Sequence, residues 1–247
     1  MVPPHCGGER PGLSTLPKGN AKRQASKVSK NPFYQQANAM DFLFVLTDLL
    51  GTATFALSGC LVGIREKLDM LGVACLATLT ALGGGIVRDA IVNRPAYSLT
   101  HWEPMTLVLA VVVVCLLLRL YKHPRLDEGP FFIVSDAIGL VSFSMTGAFV
   151  ALQAHYNLYG MVVLALLTAS GGGVLRDMLI NRLPLLLHKE VYGTIAIAIG
   201  ACMLWLHEHQ QLNGFTLTGL FVAGMVVRLV TYYRQQHLPV LAPPPTS

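Results

Sequence analysis

Charge is scarce in this 247-residue chain. Charged side chains make up 13% of it, about half the share of a water-soluble domain. A soluble fold of this length needs charged helix faces, and no stretch here supplies them. Cysteine is equally uninformative as a framework. Of five cysteines, Cys60, Cys75, Cys115 and Cys202 fall in apolar stretches and Cys6 lies near the start, with no C-x-x-C among them. They read as small apolar side chains, not as disulfides or metal ligands. Neither G-x-G-x-x-G nor G-x-x-x-x-G-K-[ST] occurs, which removes the phosphate-cradling loops. No nucleophile–base set and no metal cluster stands out, the H-x-H of His207 and His209 being a weak signal. The expectation is therefore no enzyme, no catalytic residue, no metal, no cofactor and no nucleic-acid partner.

Long apolar runs are what the chain has instead. Hydrophobic residues reach 53% and the mean hydropathy is +0.54. Seven runs are long and apolar on all sides, as membrane spans are, at residues 42–62, 70–92, 104–121, 131–152, 157–179, 191–207 and 213–231. The sixth is the weakest, being short. Residues 1–39, basic and rich in Pro, Gly, Ser and Lys, are expected to be disordered, with Met40 as a possible native start just before the first span. The tail 235–247 is expected to be disordered as well.

The chain also repeats itself. "TALGGGIVRDAIVNR" (Thr80–Arg94) returns 88 residues later as "TASGGGVLRDMLINR" (Thr168–Arg182), and "DLLGTATFALSG" (Asp48–Gly59) returns as "DAIGLVSFSMTG" (Asp136–Gly147). From Asp48 to Arg94 the copies align without a gap, and about 18 of 47 positions are identical, more than apolar bias supplies. Each copy holds three spans. An odd number turns the second copy over, so the expected fold is all-α, with two inverted three-helix repeats plus one extra helix. The expected boundaries are 40–126 for the first repeat, 127–208 for the second and 209–234 for the seventh helix.

Orientation follows from Lys and Arg counted in the short loops and adjoining span ends. One side collects Arg65, Lys67, Arg119, Lys122, Arg125, Arg176, Arg182, Lys189, Arg228 and Arg234; the other holds Arg88 and Arg94. That bias predicts an outside N-terminus and a cytoplasmic C-terminus, against the basic residues of the first 39 positions.

The glycine triplets Gly83–Gly85 and Gly171–Gly173 fall near the middle of spans two and five. Small residues favour close helix packing when they line one face. A triplet covers nearly the whole circumference, which suits a kink or an unwound segment better. Unwound backbone at this depth lines a cavity or is buried in protein, so the triplets, with Thr80 and Thr168, mark the expected ion path. Arg88, Asp89, Arg176 and Asp177 follow directly. Neighbours at i and i+1 point about 100° apart, so Arg88 and Asp89 are poor partners for each other. Matched depth instead predicts the buried pairs Asp48–Arg88 and Asp136–Arg176, with gating or structural roles.

The doubled "GGG-x-x-RD-x-x-x-NR" and its "DxxGxxxFxxxG" leader resemble the bacterial glycine-transporter-domain family, formerly uncharacterised membrane proteins similar to trimeric intracellular cation (TRIC) channels. The resemblance spans residues 41–232. It implies seven spans in two inverted triplets plus one, bends at the glycines of the second and fifth helices, and a homotrimer with a pore inside each subunit. It also implies a bacterial inner membrane and conduction of monovalent cations, mainly potassium and also sodium. A Lys-Glu-Val motif that meets a phosphoinositide in the animal channels occurs here at Lys189–Val191; the lipid role is not carried over, because bacteria hold little phosphoinositide. The family's domain name implies another class of function, secondary transport of glycine or a similar zwitterion. A coupled carrier commonly uses a titratable group at its substrate site. Asp48, Asp89, Asp136 and Asp177 each have an arginine nearby, which favours the channel. A poreless membrane scaffold leaves the glycine triplets unexplained.

Overall fold

The computed structural model of the protein describes residues 32–120, 130–188 and 191–234. These residues form an all-α architecture, with no strand among them: α1 (Pro32–Arg65), α2 (Met70–Ile91), α3 (Tyr97–Thr100), α4 (Trp102–Leu117), α5 (Pro130–Gln153), α6 (Leu158–Leu179), α7 (Leu185–His188), α8 (Val191–Glu208) and α9 (Gly214–Tyr233). From Leu43 on, the described helices belong to one compact unit.

Among the described residues, five helical stretches are long and apolar enough to cross a membrane: Phe42–Arg65, Met70–Ile91, Phe132–Gln153, Leu158–Leu179 and Gly214–Tyr233. Trp102–Leu117 and Tyr192–Glu208 are shorter apolar helices. The third expected span is thus shorter than the sixth. At 1.5 Å per residue the 16 residues of α4 reach about 24 Å, less than a typical hydrocarbon core. The apolar window of α5 is 83% buried and that of α9 only 17%, so α5 is central and α9 peripheral.

At the N-terminus, α1 begins at Pro32. Proline has its φ preset for the first helical turn, where its missing N–H costs nothing. Residues 1–31, the expected disordered tail 235–247, the repeat boundary at 126/127 and the Lys189–Glu190 pair lie outside the described residues.

The repeated Asn-Arg ends each long motif by the same device. Asn93 and Asn181 both sit in the left-handed region, at φ 54°. Arg94 N–H then reaches the Asp89 carbonyl (3.0 Å) and Asn93 N–H that of Ala90 (3.1 Å). Arg182 and Asn181 repeat these bonds to Asp177 and Met178. This is the Schellman closure, and asparagine tolerates its left-handed residue better than most. The four-residue helices α3 and α7 follow, too short for periodicity to reveal.

Candidate functional site: a glycine crossing flanked by two charge clusters

Helices α2 and α6 meet at the triplets, and they do so as unbroken helices. Met70–Ile91 and Leu158–Leu179 run continuously through the glycines, and no described glycine has positive φ. The expected unwound segment is corrected. The glycines instead permit contact between backbones. A Cβ on Gly84 would collide with the Thr168 carbonyl oxygen, and one on Gly172 with that of Thr80. Gly171 faces the Cα of Gly84, where a Cβ would stand 3.1 Å away. A Cβ on Gly83 would also meet α6, at the Leu175 side chain, and smaller residues line the neighbouring helix contacts as well. Gly59 of α1 sits over Ala77 and Thr80, and Gly147 of α5 over Ala165 and Thr168. Thr80 and Thr168 are fully buried, their hydroxyls donating back to Leu76 and Leu164 carbonyls at 2.6 Å.

One charge cluster lies a turn past the crossing on α2. Arg88 is 1% exposed and serves as its hub. Its Nη1 donates to Asp48 Oδ1 at 2.8 Å, its Nε to Asp89 Oδ1 at 2.8 Å, and its Nη2 to Asp89 Oδ2 at 3.3 Å. Asp89 also accepts from Arg94 Nε and from the Tyr97 backbone N–H, each at 2.8 Å. The guanidinium lies over the Phe44 ring, 5.6 Å from its centre. The Asp48–Arg88 pair stands as the matched depths imply. The dismissal of Arg88–Asp89 is corrected: the 100° separation describes Cβ directions, and the long Arg side chain curls around the helix to reach its neighbour.

The second cluster repeats the residues with looser geometry. Arg176 Nε donates to Asp177 Oδ1 at 2.8 Å, and its Nη1 to the Ser58 hydroxyl at 2.5 Å. Its Nη1 is 4.0 Å from Asp136 Oδ1. Asp136 is met instead by Arg228 of α9, at 3.4 Å from Nη2 to Oδ2. Asp136 Oδ1 and Arg228 Nε have no hydrogen-bond partner among the described residues. Arg228 lies over the Tyr192 ring at 4.7 Å. Arg182, the equivalent of Arg94, turns away to pair with Glu66 at 2.5 Å. Each cluster thus balances two arginines with two aspartates, but α9 supplies the fourth charge of the second. Buried ions are tolerated when paired in this way.

Two participants escaped the sequence reading. Arg228 was counted only for orientation, although "GMVVRLV" places it inside the seventh span, where a charge is itself a signal. Arg94 was counted in the same way. Arg88, Arg176 and Arg228 are all buried, and omitting them leaves the orientation bias in place. Arg88 and Arg176 line small cavities of ≈ 10 Å³ each, the first with Asp48, Thr52 and Gly85, the second with Ser170, Gly173 and Tyr192. That is room for about one water.

Residues 45–121 and 133–208 match the family model described as Glycine transporter. The chain belongs to this glycine transporter family. Its relatives include the UPF0126 membrane protein YvgT of Bacillus subtilis, 36% identical over 201 residues that cover 78% of this chain and 94% of that one. Another is the UPF0126 inner membrane protein YadS of Escherichia coli K12, 36% identical over 62% of this chain and 73% of that one. Among solved structures, one described for conductance through TRIC cation channels superposes with TM-score 0.73 at 27% identity, covering 82% of this chain and 99% of that one. The TRIC orthologue from Rhodobacter sphaeroides gives TM-score 0.72 at 28% identity, covering 78% and 99%. With these relatives and its apolar helices, this glycine transporter family member is a multi-pass membrane protein.

Proposed function

We propose that the protein is a monovalent cation channel, selective for potassium and sodium, with a pore inside each subunit of a homotrimer. The likeness to TRIC cation channels along nearly the whole of those chains carries this reading. Seven spans are proposed, α4 and α8 completing the five longer helices. The repeats would be 40–126 and 127–208, with α9 in 209–234. Their inversion is supported by reciprocal contacts: Gly84 with Thr168 against Gly172 with Thr80, and Gly51 with Phe143 against Gly139 with Phe55. Exchanges of this kind are what a two-fold axis produces, and three spans per copy put that axis in the membrane plane. The N-terminus is placed outside and the C-terminus in the cytoplasm of the bacterial inner membrane.

The path is proposed to run between the two small cavities, with the crossing of Thr80, Gly83, Gly84 and Gly85 on Thr168, Gly171, Gly172 and Gly173 as its waist. The waist is closed in this conformation. Conduction then needs α2 and α6 to part and the ion pairs of Asp48, Arg88 and Asp89 and of Asp136, Arg176 and Asp177 to rearrange. The second cluster is the less tightly bonded and so the cheaper to open.

The family description favours a second reading, secondary transport of glycine. Proteoliposomes separate the two. The channel reading expects potassium and sodium to leak down their gradients, with no glycine accumulation under a sodium or proton gradient. Concentrative glycine uptake without passive cation leak would replace it.

A further inference from the structure

The two copies differ where the α1–α2 turn meets the end of α6. A groove of ≈ 490 Å³ opens there, walled by Leu68, Cys75, Leu76, Leu79, Leu179 and Ile180. That volume is in the range of sites that bury most of a small organic ligand. At the equivalent place in the other copy, Tyr156 stands where Leu68 does. Its side chain packs on Gly160, where a Cβ would come within 2.9 Å of the Tyr156 Cβ and 3.0–3.1 Å of its ring carbons, and its hydroxyl donates to the Ile91 carbonyl at 3.4 Å. Leu68 is shorter and 40% exposed, and Leu179 at the matching end of α6 is 59% exposed against 44% for Ile91.

A second exchange falls on the same groove. Glu66 replaces the Ala154 of the other copy, and Glu66 holds Arg182 at the rim at 2.5 Å. The equivalent Arg94 turns inward to Asp89. Arg182 is released for the rim because Arg228 of α9 provides the second cluster's remaining positive charge. Its side chain is 40% exposed, and Lys67, next to Glu66 in the α1–α2 turn, is exposed as well. An apolar trough thus ends at a guanidinium held where the chain changes from apolar helix to polar turn.

We infer that this groove is a site for an anionic phospholipid of the surrounding bilayer, one acyl chain against Leu76, Leu79 and Leu179 and the phosphate on Arg182 and Lys67. Basic residues at a helix end next to an apolar trough match the two ends of such a lipid. Arginine suits phosphate because its planar fork offers two parallel donors.

The test is native mass spectrometry of the purified full chain in detergent, titrated with phosphatidylglycerol. Wild type should retain the lipid. Leu68→Tyr, which restores the filling seen in the other copy, should abolish retention, and Arg182→Gln should weaken it about tenfold, as loss of one charge-assisted contact does. Retention unchanged in both variants would overturn the site. Cys75 provides a reading on the unmutated wall. Phosphatidylglycerol should slow its alkylation while leaving exposed Cys202 unaffected. Slowing by inorganic phosphate alone would assign the rim to a free anion and overturn the lipid. Protection that survives delipidation and is lost when subunits dissociate would put a second copy in the groove and overturn it equally.

Discussion

Replacing Gly84 by alanine separates two accounts of the triplets by the sign of the effect. Were the glycines present to loosen the helix, alanine would be welcome, since it stabilises a helix by about 1 kcal/mol over glycine. At the crossing it is not. The added Cβ would meet the Thr168 carbonyl oxygen, a backbone atom, at less than any observed contact distance. Relief requires α2 and α6 to separate by about 1 Å, a gap that forfeits a good part of the dispersion contact along the crossing. Overpacking of this kind costs about 1–3 kcal/mol, and backbone against backbone falls at the upper end. Set against the propensity gain, Gly84→Ala should destabilise by about 2 kcal/mol, lowering Tm by about 4–8 °C for a chain of this size. Gly172→Ala, facing the Thr80 carbonyl, should match it. The adjacent Gly85 and Gly173 are the controls. A Cβ there lies 3.6 Å from Arg88 Nη2 or 3.9 Å from Arg176 Nη2, in ordinary contact. Their alanine variants should be unchanged or up to about 1 kcal/mol more stable. Thermal unfolding in detergent, followed by the loss of the native peak in size exclusion, reads all four. If Gly84→Ala is as stable as Gly85→Ala, the backbone contact is not what holds the crossing.

Three further outcomes follow from the clusters and caps. Asp48→Asn or Arg88→Gln alone strands a buried charge and should cost about 3–5 kcal/mol, whereas the double variant should recover part of that; additive losses in the cycle would break the pairing. Arg228→Gln should destabilise by about 2–4 kcal/mol through Asp136, while Arg234→Gln, exposed at the end of the same helix, should stay within about 0.5 kcal/mol; equal effects would remove Arg228 from the cluster. Asn93→Val should cost about 1–2 kcal/mol at its left-handed φ and Asn93→Gly almost nothing, and a neutral valine would contradict the cap.

Much of this was legible in the sequence because duplication doubles every signal. Asp48–Arg88 followed from depth alone, since two helices running in opposite directions bring equal distances from their centres to the same level. The triplets were misread because one-helix reasoning sees three glycines as weakness. Only the positions of α1, α5 and α6 show that α2 is contacted on several faces. Arg228 was hidden by bookkeeping that treats every basic residue near a span end as a solvent charge. The exchange of Arg182 for Arg228 was out of reach for a different reason: it depends on Glu66, in the α1–α2 turn of the first copy, drawing Arg182 outward. No spacing encodes that contact. The groove at Leu68 became visible only when the equivalent Tyr156 was seen to fill its place.

Cation conduction itself is tested most directly by recording from the purified protein in a planar bilayer under a potassium gradient with an impermeant anion. The account predicts discrete unitary currents that reverse near the potassium equilibrium potential and persist when sodium replaces potassium. A silent bilayer, from protein that drives sodium- or proton-coupled glycine uptake in vesicles, would contradict it.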